Sequence, residues 1–233
     1  MTDQPTTSTA NTLAGRSPGP SYQDLLDREI NPVPDSLREN TNPYLGSTNL
    51  SVDRYLTREF HEQEVEHVWQ RTWQAVCRET EIAEPGDTHV YDIVRFSIVV
   101  CRDEQGDLKA FRNTCLHRGR QLVDANGNYK QLRCPYHGFT WDLDGQFRGA
   151  PCKWDFPHIK ASEFGLPRVQ VDTWGGWVFI NMDHDAEPLQ DYLGVLPAHF
   201  ARWKPENAYK MVHVEKVIPC NWKVGWEAFI ESY

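Results

Sequence analysis

Apolar positions along the chain change their period near residue 73. Before it, Phe60, Val65, Val68, Trp69 and Trp73 recur at near-helical spacing, with Glu62, Glu64, Glu66 and Arg71 between them. This is the repeat of a single helix face, so an amphipathic helix is predicted from Thr57 to about Thr72, its acidic residues on the remaining, solvated faces. Beyond it the pattern shortens to β runs at Val90 to Val94, Ser97 to Arg102 and Leu108 to Asn113, the last two joined by the turn Asp103-Glu104-Gln105-Gly106-Asp107. Tyr129 to Arg133 and Phe139 to Asp142 predict two further strands, and Val169 to Val171 and Trp177 to Asn181 two more. Together they predict a small antiparallel β domain.

Residues 1–20 are rich in Thr, Ser, Pro and Gly with almost no large apolar side chains, which predicts a disordered tail. A short helical signal around Tyr22 to Ile30 precedes Pro32, Pro34 and Pro43, the composition of an arm lying extended on another surface. The expected division is therefore a tail at 1–20, an arm and helix at 21–74, the β domain at 75–175, and a last segment at 176–233. From Val178 to Tyr233 the chain reads as the opening of a larger α+β domain, with too few elements to enclose a core; Trp226, Phe229 and Tyr233 are expected to pack an interior.

Charge narrows the partners. With 33 acidic against 24 basic residues the net charge is −9, and no Lys/Arg run stands out, so nucleic acid is not expected as a partner. No apolar stretch approaches the roughly 20 residues of a membrane-spanning helix, and Met1 to Asn11 lacks the charged and apolar regions of a signal peptide. A cytoplasmic protein with no membrane partner is expected. Cys77, Cys101, Cys152 and Cys220 lie scattered in apolar or loop contexts and read as reduced thiols.

The other two cysteines carry the chemistry. Cys115-Leu-His117 and Cys134-Pro-Tyr-His137 are two pairs, each with one thiolate and one imidazole donor, in a chain with no other cluster of comparable order. That is the ligand set of a Rieske 2Fe-2S centre, in which thiolates hold one iron and neutral imidazoles hold the other. Removing two negative charges from the second iron raises the reduction potential above that of an all-cysteine cluster, which suits a one-electron relay. A structural zinc site is the alternative, since two Cys and two His are also a zinc set, although zinc fingers usually end in a His-x3-5-His pair. Gly119 and Gly138 follow the histidines closely, where backbone amides could approach cluster sulfurs.

Other candidate motifs fail on spacing. His61-Glu62-Gln63-Glu64-Val65 begins like His-Glu-x-x-His but has Val65 where the second ligand is required, and His67 falls off the face of His61. Asp142-Leu143-Asp144-Gly145 starts like a calcium loop, yet Gln146 to Pro151 supplies no later acidic ligand, so a turn is expected. His158, His184, His199 and His213 have no partner at metal-ligand spacing. Trp141, Trp154, Trp174 and Trp177 are expected to be core or interface aromatics.

From Ala110 onward the sequence AFRNTCLHRGRQLVDANGNYKQLRCPYHGFTWDLDG resembles the Rieske domain of ring-hydroxylating oxygenase large (alpha) subunits. WGGWVFINM at Trp174 to Met182, PLQDYLG at Pro188 to Gly194 and NWKVGWEAFIESY at Asn221 to Tyr233 extend the resemblance over roughly residues 45–233. Respiratory Rieske proteins bridge their ligand loops with two extra cysteines, whereas here those loops read Arg118-Gly119-Arg120 and Tyr136. The resemblance implies a mostly β Rieske domain of antiparallel sheets with two cluster-binding loops, plus N-terminal helices and the start of an α+β catalytic domain. It implies Cys115, His117, Cys134 and His137 as cluster ligands. It also implies electrons from an NAD(P)H-dependent flavin reductase, with or without a ferredoxin, and an assembly that is a homotrimer or an alpha/beta hetero-oligomer. The receiving mononuclear Fe(II) would activate dioxygen for hydroxylation, typically in aromatic hydrocarbon catabolism; its two histidines and carboxylate are expected beyond Tyr233. Glu231 aligns with the acidic residue that links the Rieske histidine of one subunit to the iron of the next. The alternative is a stand-alone Rieske electron-transfer module without oxygenase activity. The family accepts aromatic rings, aromatic acids, quaternary amines and steroid-like molecules, and WEAFIESY does not choose among them.

Overall fold

The computed structural model describes residues 19–38 and 48–230. Most of the predicted disordered tail, Pro43, Glu231 and Tyr233 lie outside the described residues. The chain divides into two compact units, Met1–Val52 and Asp53–Tyr233. In the first, α1 (Tyr22–Asp27) takes up the helical signal seen in sequence. Ser21 caps it, its hydroxyl accepting from Asp24 N–H while the Asp24 carboxylate accepts from Ser21 N–H. One further turn, α2 (Asp35–Arg38), returns a cation to Asp27, with Arg38 Nη1 at 2.6 Å from its carboxylate.

The second unit begins with α3 (Asp53–Leu56) and α4 (Arg58–Glu64), the latter capped by the Thr57 hydroxyl and continuing as a π turn over Val65–Trp69. The amphipathic face is as expected at Val65 and Trp73, both buried. Glu64 is not: predicted on a solvated face, it is buried, because Lys223 supplies a counter-charge. Among the described residues ten strands follow: β1 (Gln74–Arg78), β2 (Asp87–Ile93), β3 (Phe96–Arg102), β4 (Leu108–Arg112), β5 (Gly127–Asn128), β6 (Leu132–Arg133), β7 (Thr140–Trp141), β8 (Phe147–Gly149), β9 (Gln170–Trp174) and β10 (Trp177–Asn181). They form three antiparallel sheets with orders β1-β10-β9, β4-β3-β2-β5 and β6-β7-β8.

Strand β3 explains the arrangement. Its run Ile98-Val99-Val100-Cys101 is buried throughout rather than alternately. Ile98 and Val100 join Cys77, Ile82, Val178 and Ile180 in one core, while Val99 and Cys101 join Phe111, Leu132, Phe139, Trp141, Cys115 and Cys134 in another. A continuous apolar strand is what a position buried on both faces requires. A third, smaller cluster holds Trp73 against Leu189 and Leu193 of α5 (Leu189–Leu193), where Trp73 Nε1 donates to the Glu187 carbonyl at 2.9 Å.

Beyond α6 (Leu196–Phe200), residues 209–218 are exposed and have no regular secondary structure, and α7 (Trp222–Glu227) follows, capped by Asn221. Trp226 and Phe229, expected in an interior, are exposed, since no described element covers that side of α7. Trp154 is also exposed, whereas Trp141 is fully buried. No helix among the described residues is long and apolar enough to cross a membrane.

Candidate metal centre

The two Cys/His segments fold as the same backbone loop. In the first, Cys115 N–H donates to the Arg120 carbonyl at 2.8 Å and Gly119 N–H to the Cys115 carbonyl at 2.9 Å; in the second, Cys134 N–H donates to the Phe139 carbonyl at 2.8 Å and Gly138 N–H to the Cys134 carbonyl at 3.0 Å. Both glycines adopt left-handed φ, +73° at Gly119 and +71° at Gly138, which only glycine takes without strain. The histidines fall at different places in this common frame, two residues after Cys115 and three after Cys134. One leaves β4 and the other spans the end of the β6–β7 hairpin.

The frame sorts the donors. Cys115 and Cys134 are buried, and their thiols are close enough for Cys134 to influence the ionisation of Cys115. His117 and His137 are half-buried with ring centroids 4.8 Å apart. Among the described residues no three His, Cys, Asp or Glu side chains converge as they would around one ion. Sulfur beside sulfur and imidazole beside imidazole is a two-and-two division, which fits a binuclear cluster.

The donor atoms fit such a group. His117 Nδ1 is buried and has no hydrogen-bond partner, and an orphaned ring nitrogen of this kind fits the part of a metal ligand. Burial pushes the Cys115 thiol up, the N–H groups of His117 and Arg118 aim at it and pull it down, and the neighbouring Cys134 pushes it up again. The amides facing that sulfur are therefore those of His117 and Arg118, while the amides of Gly119 and Gly138 are spent closing the turns. Burial, then the nearby His137 and Arg118, hold His117 below the ordinary imidazole range.

Rings wall the site. His117 stacks on Phe139 at 4.6 Å and 10°, Phe156 meets its edge at 5.8 Å, and Tyr136, itself exposed, stacks on His137 at 3.8 Å. Trp141 anchors the wall, its Nε1 donating to the Phe164 carbonyl at 2.8 Å. Asn113 secures the first loop from behind: its Oδ1 accepts from Leu122 and Val123 N–H at 3.1 and 3.0 Å, and its Nδ2 donates to the Val123 carbonyl at 2.8 Å. Sequence reasoning missed Asn113 and Phe156, since neither lies on a periodic face or at ligand spacing. His61 Nδ1 lies 3.8 Å from the Glu64 carboxylate, and Asp142 to Gly145 forms the expected turn, with Gly145 N–H donating to the Asp142 carbonyl at 2.9 Å. Glu231, the remaining site residue expected from sequence, lies outside the described residues.

Residues 72–161 match the Rieske [2Fe-2S] domain family. Biphenyl 2,3-dioxygenase subunit alpha of Rhodococcus jostii is 32% identical over 181 residues, covering 75% of this chain and 39% of that protein. The glycine betaine monooxygenase oxygenase subunit of Pseudomonas aeruginosa is 29% identical over 216 residues, covering 91% of this chain and 49% of its own length. Among solved structures, a quaternary ammonium Rieske monooxygenase bound to L-carnitine matches with TM-score 0.72 and 27% identity, over 77% of this chain and 52% of that one. Naphthalene 1,2-dioxygenase from Rhodococcus sp. matches with TM-score 0.58 and 35% identity, over 62% and 34%. The chain thus spans about half or less of the length of these relatives. Residues 72–161 thus belong to the Rieske [2Fe-2S] domain family, in a chain whose similarity to oxygenase large subunits extends over three quarters of its length or more.

Proposed function

We propose that Cys115, His117, Cys134 and His137 hold a Rieske 2Fe-2S cluster that relays single electrons within an oxygenase alpha subunit. What supports this reading is the pair of equivalent loops that sets two buried thiols on one side and two half-exposed imidazoles on the other. When bound, the cluster supplies reversible one-electron storage. The chain's own residues divide the remaining work. The N–H groups of His117 and Arg118 stabilise negative charge on the Cys115 sulfur; Phe139, Phe156 and Trp141 exclude water from the thiolate side; the imidazoles form the exit toward solvent or a partner.

In the complete protein the donor is an NAD(P)H-dependent flavin reductase, directly or through a ferredoxin, and the acceptor is a mononuclear iron reached through Glu231 in a homotrimer or alpha/beta assembly. The hydroxylated substrate is an aromatic ring, as the names of the biphenyl and benzene dioxygenase relatives support. A quaternary amine is the second reading, favoured by the greater overlap with the carnitine-binding structure than with naphthalene dioxygenase, TM-score 0.72 against 0.58. Protein purified anaerobically should contain iron and acid-labile sulfide in equal amounts, and His117→Cys should lower the reduction potential. Zinc in place of iron would overturn the assignment. Product analysis with biphenyl and with carnitine separates the two substrate readings.

A further inference from the structure

Glu64 lies on a helix whose neighbouring acids, Glu62 and Glu66, are exposed, and yet it is buried. Its partner is Lys223 of α7, equally buried, whose ammonium donates to Glu64 Oε1. Around that ammonium stand the rings of Tyr55, Phe60 and Trp222, with centroids 5.6, 5.3 and 5.2 Å away. Trp222 Nε1 donates to the other oxygen of Glu64 at 3.3 Å, and its ring meets Trp69 edge-on at 5.1 Å. Two flanking bonds complete the contact. Asn221 Nδ2 donates to the Tyr55 carbonyl at 3.2 Å, and the Tyr55 hydroxyl donates to the Glu227 carboxylate at 2.8 Å.

A buried ion pair is a poor way to add stability, because removing two charges from water costs about what their attraction returns, and an apolar pair of similar volume often serves as well or better. Its advantage is direction. Of the residues of α7, only Lys223 is buried, while Val224 and Trp226 are exposed. Apolar packing alone would leave so short and open a helix free to roll or slide. A charge pair with a bond at residue 221 on one side and at 227 on the other does not permit this, since 223 and 227 lie on one helix face. Four residues beyond Glu227 stands Glu231.

We propose that the Glu64–Lys223 pair, in its cage of Tyr55, Phe60 and Trp222, is a positioning device for electron exit, locking the rotation of α7 so that the segment bearing Glu231 is presented correctly. The proposal rests on the reading of Glu231 given above. It is tested in the complete, iron-loaded oxygenase with the double variant Glu64→Gln/Lys223→Met, which removes both charges and keeps the volumes. The cluster's visible and EPR spectra, its midpoint potential and the thermal midpoint should stay near wild type. Reoxidation of the photoreduced cluster by dioxygen and substrate in a single turnover should slow by between about tenfold and 100-fold, the scale of an ångström of misplacement. Reoxidation at the wild-type rate would reject the positioning role. Tyr55→Phe, which removes the hydroxyl that donates to Glu227, provides the same check if the double variant does not fold: a several-fold slowing is expected, and an unchanged rate rejects the proposal. Glu231→Gln separates the two layers. If it reoxidises at the wild-type rate, the reading of Glu231 has failed; if it is slow beside a fast pair variant, only the positioning role has.

Discussion

Gly119 and Gly138 hold the same left-handed backbone in the two Cys/His loops, but their surroundings differ. A Cβ on Gly119 would meet nothing within 4 Å, whereas one on Gly138 would lie 3.0 Å from Pro151 Cγ. Gly119→Ala should therefore cost only the backbone strain, about 1–2 kcal/mol. Gly138→Ala should cost that strain and push Pro151 away as well, giving the lower thermal midpoint and the lower iron content of the two; equal losses would refute the packing argument. At this scale the four ligand candidates were legible, because a Cys and a His two or three residues apart form a local pattern. Asn113 was not, because its partners Leu122 and Val123 are brought to it by the loop it secures. Glu64 was misread for the same kind of reason: the residue that makes its burial tolerable is Lys223, far along the chain.

Among the elements, β3 separates the two cores and carries side chains into both. An edge or half-exposed strand would tolerate truncation at every second position. Here Ile98→Ala and Val99→Ala, on opposite faces, should each destabilise the protein, by about 2–4 kcal/mol and about 1–3 kcal/mol respectively, for want of atoms in a closed core. Chemical denaturation of both variants measures this, and a neutral result at either one would contradict burial on both faces. The hairpins from β2 to β4 were legible because alternation, continuous apolar runs and an Asp/Gly-rich turn mark them locally. Strand β1 was not predicted, since its five residues show no alternation and it is a strand only because β10 pairs with it. The π turn at Val65–Trp69 is likewise invisible to a period count, which continues across it.

For the molecule as a whole, stability should depend on pH through His89. Burial holds its imidazole below the ordinary 6.5; the nearby Glu81 opposes this and Lys210 adds to it. A neutral ring can also accept from Asn126 Nδ2 at Nδ1, 3.1 Å away. A base whose folded pKa is depressed is protonated more readily in the unfolded chain, so its contribution is present above about pH 6.5 and is lost as pH falls through the folded value. The thermal midpoint should decline from pH 7 toward pH 5, and His89→Gln should flatten that decline; an unaltered slope would exclude His89 as its source. The sequence by itself determined what is local and periodic: the antiparallel hairpins, the paired Cys/His donors and the resemblance they carry. Only the tertiary structure decided what depends on residues distant in sequence. It placed thiol beside thiol and imidazole beside imidazole, made β3 a wall between two cores, and buried Glu64 against Lys223, because each of these is a contact that exists only once the chain has closed on itself.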